Sequence, residues 1–173
     1  MKNGFVLSLC VSVVLWGLAG CGFQPVYGTG NAGQPNASQA AFQQIALANI
    51  PDRTGQQLRN ALIDRLYRDG RPDQPRYTLF ITPLAEQIRD LDITKTSDST
   101  RGQLRLSSAL RLTDNQTGQV LLQRPLLAIT SYNILGSEFT NRVAEESARK
   151  NAVTELTRQI ELQLSLYFQQ AQP

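Results

Sequence analysis

The sequence contains no histidine. That removes the commonest general base, any Ser-His-Asp arrangement and the commonest metal ligand. Cysteine is nearly as scarce: Cys10 and Cys21 are the two present. Everything after position 21 therefore offers no disulfide, thiolate metal site or cysteine nucleophile. No Gly-rich phosphate loop of the P-loop or dinucleotide-binding kind occurs. The carboxylate pairs Asp90/Asp92 and Glu145/Glu146 are near neighbours in sequence, a spacing typical of solvated faces. The formal charge is only +3 over 173 residues, too weak a field to mark a nucleic-acid binder. These absences predict a binding or assembly protein, with no enzymatic activity, no metal and no cofactor.

The chain has one long apolar run, at its start. It follows Lys2 and includes Phe5, Val6, Leu7, Leu9, Val11, Val13 and Leu15. At about 15 residues it is short of the roughly 20 needed to span a bilayer. A basic start, an apolar middle and small residues at the end describe a secretory signal peptide. The run closes on Leu18-Ala19-Gly20-Cys21, which looks like a bacterial lipobox. In such signals the cysteine thiol takes a diacylglyceryl group, the chain is cut just before it, and the new amino group is acylated. Ala19 and Gly20 are small enough for a membrane-embedded peptidase to close on the backbone. An ordinary signal peptide cut elsewhere, or a signal anchor, is the alternative. The lipobox predicts removal of residues 1–20 and lipidation of Cys21, which leaves 153 of the 173 residues. Cys10 goes with the discarded segment. One acyl chain holds a protein only marginally, so about three make attachment permanent. Gly22 stands where an aspartate would favour inner-membrane retention, which points to the inner leaflet of the outer membrane.

Among the seventeen cations, only Lys2, Lys95 and Lys150 are lysines; fourteen are arginines. The planar guanidinium fork matches phosphate and carboxylate, which suits an anionic, phosphorylated lipid. Codon bias in a GC-rich genome explains the same excess.

After Cys21, the Gly/Asn/Ala/Gln/Ser-rich stretch Gly28–Ala41 reads as a flexible tether averaging about 20 Å end to end, or else as a packed surface loop. Residues 21–41 are thus expected to be lipidated cysteine and tether, and 42–173 a single domain. Phe42–Ile50 suits a first strand. From Thr54 to Arg68, Leu58, Ala61, Leu62 and Leu66 recur at helical spacing, with Asp52 or Thr54 to cap the start and Gly70 to stop the end. Arg76–Ile93 reads as a strand, and Pro83 within it requires an edge or a bulge. "KTSDST", Lys95–Thr100, is a polar connection. The next strand alternates most cleanly: Leu104, Leu106, Leu110 and Leu112 face one way, Arg105, Ser107, Ala109, Arg111 and Thr113 the other. The leucines are core; the arginine face meets solvent or a partner. Asp114–Gly118 is a hairpin turn with Gly118 available for positive φ. Gln119–Leu135 returns, again with a proline, Pro125, in its middle. Ser137–Phe168 is one long helix whose stripe is Phe139, Val143, Val153, Leu156, Ile160, Leu164 and Tyr167. The order β-α-β-β-β-α predicts an α+β two-layer sandwich. Its sheet is four-stranded and mostly antiparallel, with two helices on one face and the first two strands parallel across the helical connection.

Four stretches carry a resemblance. They are "CGFQPVYG" (Cys21–Gly28), "RTGQQLRNALIDRL" (Arg53–Leu66), "TSYNILGSEFTN" (Thr130–Asn141) and "AEESARKNAVTELTRQI" in the final helix. Together they resemble the LptE family, lipoproteins of the outer-membrane lipopolysaccharide translocon, in its alphaproteobacterial form. The N-terminal motif is the most specific. The resemblance implies a large β-barrel partner, LptD, with this chain as a plug in its lumen. It also implies help in barrel assembly and contact with lipopolysaccharide. A membrane-bound accessory subunit of another envelope transporter or cell-wall machine is the alternative. Cations in polar loops are the candidates for lipid A phosphates: Lys95 and Arg101 flank "TSDST", and Arg105 follows on the polar strand face. Arg65, Arg68 and Arg71 form a second set.

Overall fold

The computed structural model describes residues 37–68, 70–93 and 99–171. Cys21, Lys95 and the expected signal peptide lie outside them. Three helices and five strands follow in the order α1 (Ala37–Phe42), β1 (Ile45–Leu47), α2 (Arg53–Leu66), β2 (Tyr77–Ile81), β3 (Ala85–Ile93), β4 (Ser99–Asp114), β5 (Val120–Asn133) and α3 (Glu138–Gln170).

The organising element is β4. Its alternation buries Leu104, Leu106, Leu110 and Leu112 completely against the helices, as the period of two requires. β5 runs antiparallel along one side of β4, from Arg101↔Asn133 to Thr113↔Val120. The other side is shared. β2 pairs with the second half of β4, Leu110–Asp114, and β3 with the first half, Ser99–Ser107. β1 pairs with β2 in parallel, joined through α2 as a β-α-β crossover demands.

The segment 76–93 is therefore two strands laid end to end, not one. The break is Thr82-Pro83-Leu84, where proline has no N–H for the ladder. Thr82 carries the pairing across it: its N–H donates to the Ala109 carbonyl at 3.0 Å, and its Oγ1 accepts from the Ala109 N–H at 2.9 Å. Both backbone groups of Ala109 thus point away from β5. Its partner there, Pro125, gives up no ladder bond, which is why a proline is tolerated in the middle of a long edge strand.

Among the described residues the sheet has five strands rather than four, and the helices number three rather than two. α1 and the three-residue β1 replace the single strand expected over 42–50, and α1 also takes the last residues of the expected tether. The Ala/Gln composition of 37–42 favours helix, and Phe42 is held by an edge-on contact with Phe168, ring centres 6.5 Å apart. Beside it Tyr67, just past the end of α2, donates its hydroxyl proton to the Ile45 carbonyl and accepts from the Leu47 N–H. The start of the described chain is therefore packed at the C-terminal end of α3.

α2 buries Leu58, Leu62 and Leu66. Asp52 precedes it in a left-handed conformation, φ 67°, and its side chain makes no cap bond; Gln56 instead reaches back to the Ile50 carbonyl at 2.5 Å. Gly55 permits that close approach, because a Cβ there would meet the Ile50 side chain. α3 starts on Ser137, whose Oγ accepts from the Thr140 N–H. Its 33 residues span about 50 Å. Its buried stripe begins at Ala148 and continues through Ala152, Val153, Leu156, Ile160, Leu164 and Phe168. Phe139 and Val143, expected in that stripe, are 77% and 52% exposed. Thr130 of β5 donates to the Ala148 carbonyl. Beyond that contact β5 continues for three residues, about 10 Å, while the helix extends ten residues, about 15 Å. The first turns of α3 therefore outrun the strand beneath them. Among the described residues no helix is long and apolar enough to cross a membrane, a statement that does not bear on spanning by strands.

Candidate functional site: the open face of the sheet

The core leucines of β4 and β5 face the helices, so alternate residues form a second face that no described helix covers. On β4 this face carries Arg101, Gln103, Arg105, Ser107, Ala109, Arg111 and Thr113. The register sets Arg89 of β3 opposite Gln103, hence on the same face. Arg89 is the diagonal neighbour of both Arg101 and Arg105, about 7–8 Å from each along the backbone. Arg101 and Arg105 are four residues apart, about 13 Å. The β3 carboxylates Glu86 and Asp90 pair with Leu106 and Gly102 and so belong to the helix side. No Asp or Glu of the described residues lies on the arginine face.

Arg105 is half-buried, and its buried Nε has no hydrogen-bond partner among the described residues. Arg111 stacks over the Phe80 ring at 5.3 Å, a geometry worth about 0.5–1 kcal/mol at an exposed site. Three arginines on the helices form ion pairs. Arg65 pairs with the buried Glu161 at 2.6 Å, and Arg142 with Glu138 at 2.9 Å. Arg158 pairs with Glu155 at 2.7 Å, and its bonds hold the Glu155 carboxyl down at about 2.

The densest of these pairings supports the site. Arg149 of α3 donates to Glu86 of β3 through Nε and Nη2 at 2.8 and 2.6 Å. It also reaches Glu145 at 2.6 Å and Glu146 at 2.7 Å within its own helix. These bonds, Glu86's first, raise its proton affinity further, and they hold the Glu146 carboxyl below its usual range. Tyr132 lies alongside, its hydroxyl pushed up by burial and then by Glu145. Its ring covers Gly102, where any Cβ would collide with it. The strand pair β3–β4 is thus clamped to α3 from the helix side, which fixes the arginines on the other side.

Of the sequence candidates, Arg101 and Arg105 share one face; Lys95 lies outside the described residues. Arg65 is taken by Glu161 on the helix side. Arg89 was missed. The signal for it is the Gln87–Arg89–Leu91 alternation in β3, which acquires meaning only once the register with β4 is known. No group of three or more His, Cys, Asp or Glu among the described residues fits a metal ion.

Comparison with known proteins agrees with this architecture. No curated protein matches the chain. A putative lipoprotein from Caulobacter crescentus superposes with a TM-score of 0.60 at 20% identity, covering 76% of this chain and 96% of that one. A minor lipoprotein from Acinetobacter baumannii gives 0.59 at 24%, covering 72% and 92%. Rare lipoprotein B from Shewanella oneidensis gives 0.55 at 11%, covering 73% and 96%. These superpositions show a shared fold. The family model described as LptE, lipopolysaccharide-assembly, matches residues 42–164, from the end of α1 almost to the end of α3, and this protein therefore belongs to the LptE family.

Proposed function

We propose that this protein is an outer-membrane lipoprotein, anchored through Cys21 after loss of residues 1–20. In this reading it plugs and helps assemble an LptD-like barrel and assists lipopolysaccharide insertion. The mechanism is non-covalent. Cations contact lipid A phosphates and loosen lipopolysaccharide aggregates before insertion, and the domain's polar edges and loops meet the barrel wall. The observation that carries the ligand half of this reading is the arginine face, on which no Asp or Glu of the described residues lies. Lys95, Arg101 and Arg105 are the assigned contacts, and Arg89 joins them by register.

The fold suits an anchored protein. Phe42, at the end of α1, packs on Phe168 near the C-terminal end of α3, whereas Arg101 pairs with Asn133, just before the start of α3. The helix between these ends is about 50 Å long. The arginine end is therefore held away from the end at which the anchored segment joins.

Two measurements test the proposal. Affinity purification of the tagged full-length protein from its native envelope should recover a large β-barrel; an inner-membrane transporter in its place would refute the barrel assignment. Lys95→Glu with Arg101→Glu and Arg105→Glu should bind lipopolysaccharide at least tenfold more weakly, given about 1.5–3 kcal/mol for each well-made charge-assisted contact. A folded triple variant that binds as tightly as the parent sinks the cationic site.

A further inference from the structure

The described sheet has three outer edges, and two of them are closed or guarded. On β1 the outward Leu47 N–H and Ile45 carbonyl are both taken by the Tyr67 hydroxyl. β3 carries Glu86, Arg89, Asp90 and Asp92 among its nine residues, and charges on an edge strand discourage pairing. The edge of β5 is different. Residues 126–133, Leu-Leu-Ala-Ile-Thr-Ser-Tyr-Asn, hold no charge, proline or glycine, the composition of a segment prone to pair. The direction of its backbone groups follows from Ala109. That residue turns its N–H and carbonyl to Thr82, so its pair with Pro125 exchanges no ladder bonds. Such pairs alternate along an antiparallel ladder. Leu127, Ile129 and Ser131, opposite Ser107, Arg105 and Gln103, therefore also aim their backbone groups outward. One outward acceptor is used: Gln159 of α3 donates to the Leu127 carbonyl at 3.0 Å. The N–H of Leu127 and both backbone groups of Ile129 and Ser131 have no hydrogen-bond partner among the described residues. From Leu127 to Ser131 is about 13 Å of strand.

We propose that this edge receives one extended segment of the barrel partner as a further strand, which rests on the barrel reading and gives the partner a docking position on this chain. Main-chain donors and acceptors repeating at two-residue spacing are matched by another strand. Ile129 and Leu127 are 45% and 46% exposed on the open face, so the incoming segment is uncharged and carries apolar residues at the alternate positions beside them. A second copy of this chain does not suit the edge. α3 runs along β5, held by Gln159 on the Leu127 carbonyl and by Thr130 on the Ala148 carbonyl. Paired strands lie about 4.8 Å apart, whereas packed helices need about 8–10 Å, so two copies joined here would drive their α3 helices together. A single segment brings no such bulk. The wall strands of a closed barrel are already paired on both sides, so the segment comes from a loop or terminus of the barrel chain.

The test uses the tagged full-length protein and the large β-barrel it recovers from its native envelope. Amide hydrogen exchange at Leu127, Ile129 and Ser131, resolved by mass spectrometry with fragmentation, should slow at least about tenfold in the complex relative to the free protein. Ser131→Pro removes one outward N–H and leaves the β4 ladder intact, as Pro125 already does in the same row. Barrel recovery by this variant should fall at least about tenfold while its urea midpoint stays at the parent's. Ser131→Val keeps the N–H and should recover the barrel as the parent does; its failure would overturn a backbone site in favour of side-chain contact. Amides that exchange in the complex as fast as in the free protein, or full recovery by a folded Ser131→Pro, overturn the strand site and leave the barrel reading intact. If Ser131→Pro fails to fold, the exchange measurement decides alone. Exchange at these amides that slows in the free protein as its concentration rises overturns the proposal in favour of self-pairing. A parent that recovers no barrel overturns both this proposal and the barrel reading beneath it.

Discussion

Replacing Arg149 by methionine should destabilise the protein in a manner that depends on pH. The side chain is 18% exposed, and its three carboxylate partners are 28–34% exposed. An exposed ion pair contributes about 0–1 kcal/mol, and deleting one partner of a fully buried pair costs about 3–5 kcal/mol. Arg149 lies between these limits, and a single hydrogen bond to a charged group is already worth about 1.5–3 kcal/mol. The expected loss at pH 7 is about 2–3 kcal/mol. With a urea slope near the middle of the usual range, about 2 kcal/mol per molar, the midpoint should fall by about 1–1.5 M. The pH dependence has a definite sign. In the parent, Arg149 depresses the Glu146 carboxyl, so its stabilisation is present above the ordinary carboxylate range and is lost as pH falls through the lowered value. Without Arg149 that contribution is absent at every pH. The deficit should therefore be smaller at about pH 3 than at pH 7. Urea denaturation followed by circular dichroism at both values decides it. A deficit below about 0.5 kcal/mol, or one that does not shrink on acidification, refutes the clamp.

Other outcomes follow from the same structure. Leu106→Ala, at a fully buried position, should cost about 2–5 kcal/mol by denaturant melting; an unchanged midpoint would mean the β4 register is wrong. Phe139→Ser, at the exposed start of α3, should change stability by less than about 0.5 kcal/mol, and a larger drop in the same assay would show that these turns are packed. Asp114 accepts from the Gln116 and Thr117 N–H groups. These bonds, Gln116's first, hold its carboxyl below the usual value, so its stabilisation is present at neutral pH and lost as pH falls through the lowered value. Asp114→Asn should accordingly lose less stability than the parent between pH 6 and pH 3, measured as the shift in urea midpoint. Cys21→Ala should remain uncut and unlipidated, and mass spectrometry of the N-terminus from envelope fractions checks this.

The legible parts of the fold are those written in single-strand periodicity. Leu104, Leu106, Leu110 and Leu112 announce both the strand and its buried face, because side-chain direction alternates whatever the partner strand is. Pro83 and Pro125 announce interruptions or edges for an equally local reason, the missing N–H. What they leave open is which remedy the chain uses. At Pro83 the strand breaks and Thr82 bridges the gap; at Pro125 the strand continues, because Ala109 directs its backbone groups elsewhere. The α3 stripe failed at Phe139 and Val143 for a related cause. Periodicity specifies which side of a helix is apolar, and says nothing about how far the sheet beneath it extends.

The site was half legible by the same logic. Arg101 and Arg105 sit on one strand, four residues apart, and period two alone puts them on one face. Arg89 joins them only through the pairing Arg89↔Gln103, a register no local pattern reveals, since a shift of one residue would send Arg89 to the helix side and bring Glu86 and Asp90 onto the arginine face. Register therefore decides the electrostatics of this surface as well as its packing. Glu86 makes the dependence concrete. In the observed register it meets Arg149 on α3; one residue away it would stand among the arginines and neutralise them. The clamp on the helix side and the absence of carboxylates among the described residues of the open side are two consequences of a single strand alignment.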